Sequence, residues 1–568
     1  MRTPIVSVAL AATFCLNGQV LAQTAPVPVA PLNGVLPQFP EANPDFRRDV
    51  APAPIAPAPR ELGKPEEDIT LDVKGYRIDG GPPALLRDLP RLTREFTGDG
   101  KHYEDLVNAA SAVTRYLQGE LGYYLGYAYL PEQTPADGIV RIAVLEGRLD
   151  RVVLNWPDDM PVSREVIEPY LARLKPGSVL TVAEVERTIF LINDLHGVAT
   201  RFEVQPGREV GTATLVVTPR AEARWSGRVD GDNFGSRYSG LWRGNVAVDL
   251  ASPGGRGDKL SVGMLETHTD QLNFVLAGYS RPIGADGLKV GVSASFVRYQ
   301  LEKKLLPLDL SGTALAMTGY GLYPVIRSRN LNLFTLASFE QKQYDDKQGA
   351  ADISTRKRTN SASLSLSGDF RDSLAGGAVS TYEFTGTTGR LIYATTRPAA
   401  LDNPEGYRKL GLSYSRLQSI VDNRLLGYVV YRRQFALDNL DTTEQFRVGG
   451  PDGVRAYAPG EGTGDAGTLA TGELRLLPPE SVFGPIAREL VFSGFYDWGK
   501  VRYRHDASRQ PATFVNGSIY SGGGIGATWE RPRNFNLRFS AAFRNQGVAV
   551  ADPSNRNPRF YVQFSKKF

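Results

Sequence analysis

Few residues in this chain stand at spacings that catalysis uses. Residues 462–467, GTGDAG, have the glycine spacing of a dinucleotide loop. No hydrophobic strand precedes them and no helical pattern follows, so they read as part of a longer loop. The four histidines, His102, His196, His268 and His505, are scattered without ligand spacing, which argues against a zinc site. No G-x-S-x-G occurs, and the carboxylates form no pair that sets an acid opposite a base. No catalytic, cofactor or metal constellation emerges, and the chain does not read as an enzyme. What remains is one guanidinium. In FRVGGPDGVRAYAPGEG (446–462), Arg455 sits among glycines and prolines. A planar guanidinium can grip a carboxylate through two parallel hydrogen bonds, fixing direction as well as distance. Gly449, Gly450 and Gly453 would allow the tight, left-handed turns that a re-entrant tip needs.

The elements that must position such a loop come next. Formal net charge is +4, from 65 basic and 61 acidic residues. That balance gives no basic footprint for nucleic acid. After residue 22 no apolar run is long enough for a membrane-spanning helix. The N-terminus reads as an export signal over residues 1–22, with Met1-Arg2, an apolar stretch from Val6 to Leu16, and VLAQ for cleavage. The single cysteine, Cys15, lies inside it behind Phe14, which is not the small residue a lipoprotein signal carries. Disulfides and thiol chemistry are thereby excluded. Residues 23–66 are dense in proline and alanine and read as an extended periplasmic tether.

From residue 67 the chain reads as structured. ITLDVKGYRI alternates at Ile69, Leu71 and Val73, the period of a strand. EDLVNAASAVTRYLQGEL puts Leu106, Ala110, Val113, Leu117 and Leu121 on one helical face. Strand candidates follow around GYAYLPEQ and GIVRIAVLEG. The order then repeats: strand LDRVVLNW, helices SREVIEPYLARL and TVAEVERTIFLINDLHG, strands TRFEVQPG and TATLVVTPR. Thr181 and Glu184 have capping-box spacing, and Gly197 stands where a helix C-cap belongs. Two α+β units are expected, 67–147 and 148–220.

Beyond Ala221 helical periodicity stops. Segments of about ten residues alternate instead, as strands do. Leu288, Val290, Val292, Ala294 and Phe296 point one way. Phe535, Leu537, Phe539, Ala541 and Phe543 do the same, opposite Asn536, Arg538, Ser540 and Arg544. A soluble sandwich also alternates. The export signal, the polar second face and the terminal strand RFYVQFSKKF, ending in Phe568, favour a transmembrane β-barrel over 221–568. Lipid offers no partner to an open edge, so such a sheet must close. The length holds about 16 antiparallel strands, with 14 or 18 fitting nearly as well.

Four stretches, in order, carry a family resemblance: YLPEQTPADGIVRIAVLEGRLDRV (129–152), VDGDNFGSRYSG (229–240), VGGPDGVRAY (448–457) and FYDWG (495–499). Together they resemble the outer-membrane transporters of two-partner secretion, which export large haemolysins and filamentous adhesins. The resemblance covers almost the whole chain after the signal. It implies two periplasmic POTRA domains and a 16-stranded barrel in the outer membrane of a Gram-negative bacterium. It also implies that the loop after the eleventh barrel strand folds back inside. There the loop motif, Gly449, Gly450, Val454, Arg455 and Tyr457, would meet the strand motif, Phe495, Asp497 and Gly499, through an Arg455–Asp497 pair. The alternative is that both are ordinary charges of a wet lumen. Phe568 is similar to the assembly signal of outer-membrane barrels. The implied partners are a large secreted protein that arrives unfolded, outer-membrane lipid and the barrel-assembly machinery, with no cofactor and no nucleic acid. A barrel-assembly factor of the same superfamily is the alternative function. Two departures stand out. Ala456 replaces a glycine of the loop motif, which would reshape a tip that needed positive φ, and the prolines before residue 67 make the family's long plug helix doubtful.

Overall fold

The computed structural model describes residues 62–64, 70–135, 137–303, 309–394, 404–421, 424–531, 534–545, 549, 552 and 555–568. The export signal, most of the tether and Ile69 lie outside the described residues. No helix among those described is long and apolar enough to cross a membrane.

The first unit runs β1 (Leu71–Val73), β2 (Gly75–Asp79), α1 (Pro83–Thr93), β3 (Gly98–Lys101), α2 (Tyr103–Gly119), β4 (Tyr127–Tyr129) and β5 (Ile139–Leu145). β5 is central, parallel to β2 and antiparallel to β4. The expected single first strand is in fact two, because β1 turns away to pair with β3. α2 buries Leu106, Ala110, Val113 and Leu117 against Val140 and Ile142 of β5. α1 has no counterpart in the sequence reading, because PPALLRDLPRLT contains three prolines. Pro83 occupies the first turn, where a missing N–H removes no helical bond. Leu85 and Leu89 then join the same core. Packing also starts before residue 67: Leu62 N donates to Leu130 O at 2.9 Å, and Tyr103 Oη donates to Leu62 O at 2.7 Å.

The second unit repeats the plan with β6 (Arg148–Leu154), α3 (Arg164–Leu171), α4 (Val182–Asn193), β7 (Val198–Pro206) and β8 (Thr212–Ala221). β8 is central, parallel to β6 and antiparallel to β7. Thr181 caps α4: its Oγ1 accepts from Glu184 N at 3.3 Å and donates to Glu184 Oε2 at 2.9 Å.

The barrel follows. Its strands are β9 (Trp225–Asp232), β10 (Arg243–Ala251), β11 (Lys259–Thr267), β12 (Leu272–Ile283), β13 (Leu288–Gln300), β14 (Leu310–Arg327), β15 (Leu331–Gln348) and β16 (Ile353–Asp372). They continue as β17 (Ala378–Tyr393), β18 (Gly406–Val421) and β19 (Leu425–Ala436). A two-rung stem, β20 (Phe446–Arg447) with β21 (Thr463–Gly464), belongs to the loop that follows. β22 (Ala466–Leu476), β23 (Leu490–Arg502), β24 (Ser518–Arg531), β25 (Phe535–Arg544) and β26 (Arg559–Lys567) complete the wall. Without the stem, 16 antiparallel strands close into a barrel. Val290, Val292 and Phe296 of β13 and Phe539 and Phe543 of β25 face outward, as lipid requires.

Closure rests on a short seam. β26 and β9 share five rungs, Gln563↔Asp232 to Lys567↔Arg228. Asn233 prolongs them: its Nδ2 donates to Phe560 O at 3.0 Å, and its Oδ1 accepts from Val562 N at 2.9 Å. Phe568 adds a further rung by exchanging backbone bonds of 2.9 and 3.0 Å with Gly227. Its ring covers Gly227 at a point where any Cβ would approach to 2.6 Å.

The second unit is fastened to three consecutive turns of the barrel rim. Ser163 N and His196 N donate to Gly255 O and Gly257 O. Arg173 pairs with Asp286. Arg187 donates to the carbonyls of Pro324 and Val325 at 3.0 and 3.1 Å. Arg327 clasps Asp194 through two bonds of 2.9 and 2.8 Å and stacks on Phe190. Lys289 donates to the carbonyl of Asp194. Burial at this junction, together with Lys289 and Lys259, pushes the His196 imidazole down to about 3 from an ordinary value of 6.5. A neutral folded imidazole makes the junction most stable above pH 6.5, and stability declines as pH falls from there toward 3. The hydrogen-exchange protection of Val198–Pro206, referred to the intrinsic rate at each pH, should therefore fall below pH 6, and His196→Gln should flatten that dependence.

Candidate functional site: a loop docked inside the barrel

Residues 437–465 leave β19 at the external end and turn back into the lumen. The stem β20–β21 continues through Gly449 N to Glu461 O at 2.9 Å, and the tip folds on Val454 N to Val448 O at 2.7 Å. Of the three glycines expected to turn left-handed, only Gly450 does, with φ +124°. Gly449 and Gly453 are required by close approach instead. A Cβ on Gly453 would lie 2.0 Å from Val448 O, and one on Gly449 would lie 2.6 Å from Ala458 O.

At the tip, Arg455 meets Asp497 of β23 through a bidentate fork. Nε donates to Oδ2 at 2.8 Å and Nη2 to Oδ1 at 2.9 Å. The backbone N of Arg455 also donates to Oδ2, at 3.1 Å. Thr471 of β22 donates its hydroxyl to Oδ1 at 2.9 Å. The carboxylate, 1% exposed, therefore holds four donors. The third guanidinium nitrogen reaches Glu473 Oε2 at 3.3 Å, and Arg475 holds the other oxygen of Glu473 at 2.9 Å. The guanidinium carbon lies over the Phe495 ring, 3.2 Å from its centroid. A buried charge is tolerable when it is paired and hydrogen-bonded in this way.

The wall makes room for the tip by omitting side chains. A Cβ on Gly499 would stand 2.2 Å from Val448 Cγ1 and 3.1 Å from Val454 Cγ2. One on Gly522 of β24 would stand 2.5 Å from Ala456 Cβ, and one on Gly524 would stand 2.5 Å from Phe495 Cζ. Ala456 is not among the residues with positive φ. Its methyl lies in the space over Gly522, so the alanine causes no strain. Tyr457 packs edge-on to Tyr520, with centroids 5.0 Å apart, and its carbonyl accepts from Tyr561 Oη at 3.1 Å.

The eight motif residues of loop and strand thus meet at one place, while Phe568 belongs to the seam. Sequence reasoning missed Thr471 and Glu473, although both fall on the polar register of TLATGEL. It also missed the glycine run SGGGIG on β24. A second mooring escaped it entirely. Higher in the barrel, Asp441 accepts from Lys357 of β16 at 2.8 and 3.1 Å. Glu444 pairs with Lys409 of β18 at 2.8 Å and Lys342 of β15 at 3.5 Å.

Two substitutions test this geometry. Arg455→Ala strands a buried carboxylate, which should release the tip at a cost of about 3–5 kcal/mol, less where lumen water reaches it. Cysteines at 455 and 497 should cross-link with a short reagent in the native barrel. Gly499→Val should displace the tip as fully as Arg455→Ala while leaving the heat-modifiable migration of the closed barrel intact. A cross-link that survives Gly499→Val unchanged would contradict the fit.

Comparison with known proteins agrees with this architecture. Residues 211–528 match the family of the haemolysin secretion/activation protein ShlB/FhaC/HecB, and residues 71–147 match the ShlB-type POTRA domain. The chain is 24% identical over 557 residues to the heme/hemopexin transporter protein HuxB of Haemophilus influenzae strain 86-028NP, covering 95% of each. It is 25% identical over 460 residues to the outer membrane transporter CdiB of Escherichia coli O6:K15:H31, covering 75% of this chain and 72% of that one. The solved structure of CdiB from Escherichia coli superposes with a TM-score of 0.68 at 18% identity, covering 100% of this chain and 99% of that one, which establishes the shared fold. A closed 16-stranded barrel behind POTRA units, with a family match over more than half its length, makes this chain a member of the haemolysin secretion/activation family, the outer-membrane transporters of two-partner secretion.

Proposed function

We propose that the chain takes up an unfolded secreted partner on its POTRA units, 67–147 and 148–220, and passes it through the barrel while the docked loop guards the lumen. The observation that carries this reading is the Arg455–Asp497 fork, which holds the loop 437–465 inside a closed barrel. A pore that only leaked solutes would have no use for it. The partner class follows from the relatives, whose names are heme/hemopexin transporter and hemolysin transporter. A large protein of that type suits this chain. With no nucleotide in the periplasm, folding outside the cell gives the direction.

Recognition is assigned to strand addition on the second unit. The order β6-β8-β7 leaves the outer edge of β7 without a neighbouring strand among the described residues. Such an edge offers main-chain donors and acceptors to an extended chain with little regard to its side chains. Deleting this protein should abolish surface display of its co-expressed partner. The purified protein should bind an unfolded N-terminal fragment of that partner and ignore the same fragment once folded. Equal binding of both forms would end the strand-addition reading. Normal display after deletion would end the transporter reading itself.

A further inference from the structure

The turn between β22 and β23, residues 477–489, is the most apolar exposed connection at its end of the barrel, and the motifs discussed above make no use of it. In an up-and-down barrel every second connection lies at the same end. This turn therefore shares the periplasmic end with the three rim turns that hold the second POTRA unit. It contains a short helix, α5 (Glu480–Phe483), followed by a 3₁₀ stretch to Glu489. Val482 is 71% exposed, and Phe483 and Ile486 are exposed beside it. Leu477 and Ala487 form the buried underside.

The flanking strands show which way this apolar side faces. On β22, Thr471, Glu473 and Arg475 point into the lumen, so Leu474 and Leu476 point to lipid, and both are exposed. On β23, Phe495 and Asp497 point inward, so Phe492, Gly494 and Tyr496 point outward. Phe483 packs on Phe492 with ring centroids 5.7 Å apart. Its ring therefore lies against the outside of the wall and not beneath the pore. An aromatic cluster stands at the same level. Leu490 pairs with Trp529, which meets Phe535 edge-on at 4.9 Å, and Phe535 stacks on Phe564 at 6.5 Å. Aromatic side chains at the strand ends mark the interface of a transmembrane barrel. The charges of the turn are paired: Glu480 with Arg488, and Glu489 with Arg531 at 2.9 Å, while Glu489 also accepts the Trp529 indole N–H at 2.8 Å.

We propose that residues 477–489 are a membrane foot, seated by Val482, Phe483 and Ile486 in the phospholipid headgroup region of the periplasmic leaflet. An exposed apolar patch continuous with a lipid-facing wall, with its ions paired off, suits an interfacial site better than water. The foot terminates the hairpin that carries Thr471, Glu473, Phe495 and Asp497. It thus fastens the receptor of the docked loop to the bilayer itself.

The test makes Val482→Cys, and separately Ile486→Cys, in the full chain with Cys15→Ser. Each is labelled with an environment-sensitive fluorophore and reconstituted into phosphatidylethanolamine–phosphatidylglycerol vesicles. Both labels should emit blue-shifted light and be quenched more by a nitroxide near the headgroup than by one at the bilayer centre. A label at Asp159, exposed on the second POTRA unit, should emit as in water and resist both quenchers. Water-like emission and no quenching at 482 and 486 would overturn the foot, whether or not a secreted partner later shields them. Stronger quenching from the bilayer centre, or equal quenching at 159, would also overturn it.

Discussion

The docked loop depends on one ion taken out of water. Arg455 carries five N–H donors and no acceptor, so in the lumen wall it needs carboxylates that are themselves satisfied. Asp497 meets that need because its two oxygens hold four donors from three directions: the side chain and backbone of the loop, and a threonine of the neighbouring strand. The backbone N–H matters as much as the fork. It ties the direction of the chain at residue 455, and not only the end of a flexible side chain, to the wall. Phe495 underneath removes water from one face of the guanidinium, which strengthens each contact that remains.

Other features of the barrel follow from giving that tip room and a fixed approach. Gly499, Gly522 and Gly524 hollow the wall where Val448, Val454, Ala456 and Phe495 must lie. The segment leading into the stem is held from a second direction, where Lys342, Lys357 and Lys409 pair with Asp441 and Glu444, so the loop hangs between two walls and not from one. The second α+β unit is clasped to the rim by Arg327 and Asp194. That clasp fixes the orientation of the second unit at the mouth of the barrel.

Much of this was legible in the sequence, and the exceptions have physical causes. Alternation on β13 and β25 revealed strands with one apolar face, and the export signal, the polar second face and the terminal strand turned that pattern into a barrel facing lipid. The strand number came from a family pattern, since alternation counts faces and not turns. α1 was hidden because three prolines suppress a helical reading, although Pro83 sits where a helix accepts one. The glycines of the loop were recognised as necessary for a partly mistaken reason: only Gly450 needs positive φ, whereas Gly449 and Gly453 are crowded. Crowding depends on neighbours folded back from elsewhere, which no local pattern reveals. The same holds for Lys357 and Asp441. They lie 84 positions apart, and nothing between them signals that they touch.

The wall has unequal height. β16 spans 20 residues and β15 spans 18, whereas β25 spans 10 and β26 spans 9. At the usual rise and tilt, 20 residues climb about 50 Å, roughly twice the lipid-facing band. The outward side chains agree. On β15 they change from Phe339 to Gln341, Gln343, Asp345 and Lys347, and on β16 from Leu364 to Asn360, Arg358 and Arg356, while on β25 they stay apolar up to Phe543. The barrel therefore opens like a pitcher, with a lip on one side and a low brim on the other. The lip carries Lys342 and Lys357, so the height that lifts it clear of the membrane also serves as the post for Asp441 and Glu444 at the base of the loop. A lumen with one high wall and one low wall opens sideways as well as upward, toward the brim at β25 and β26.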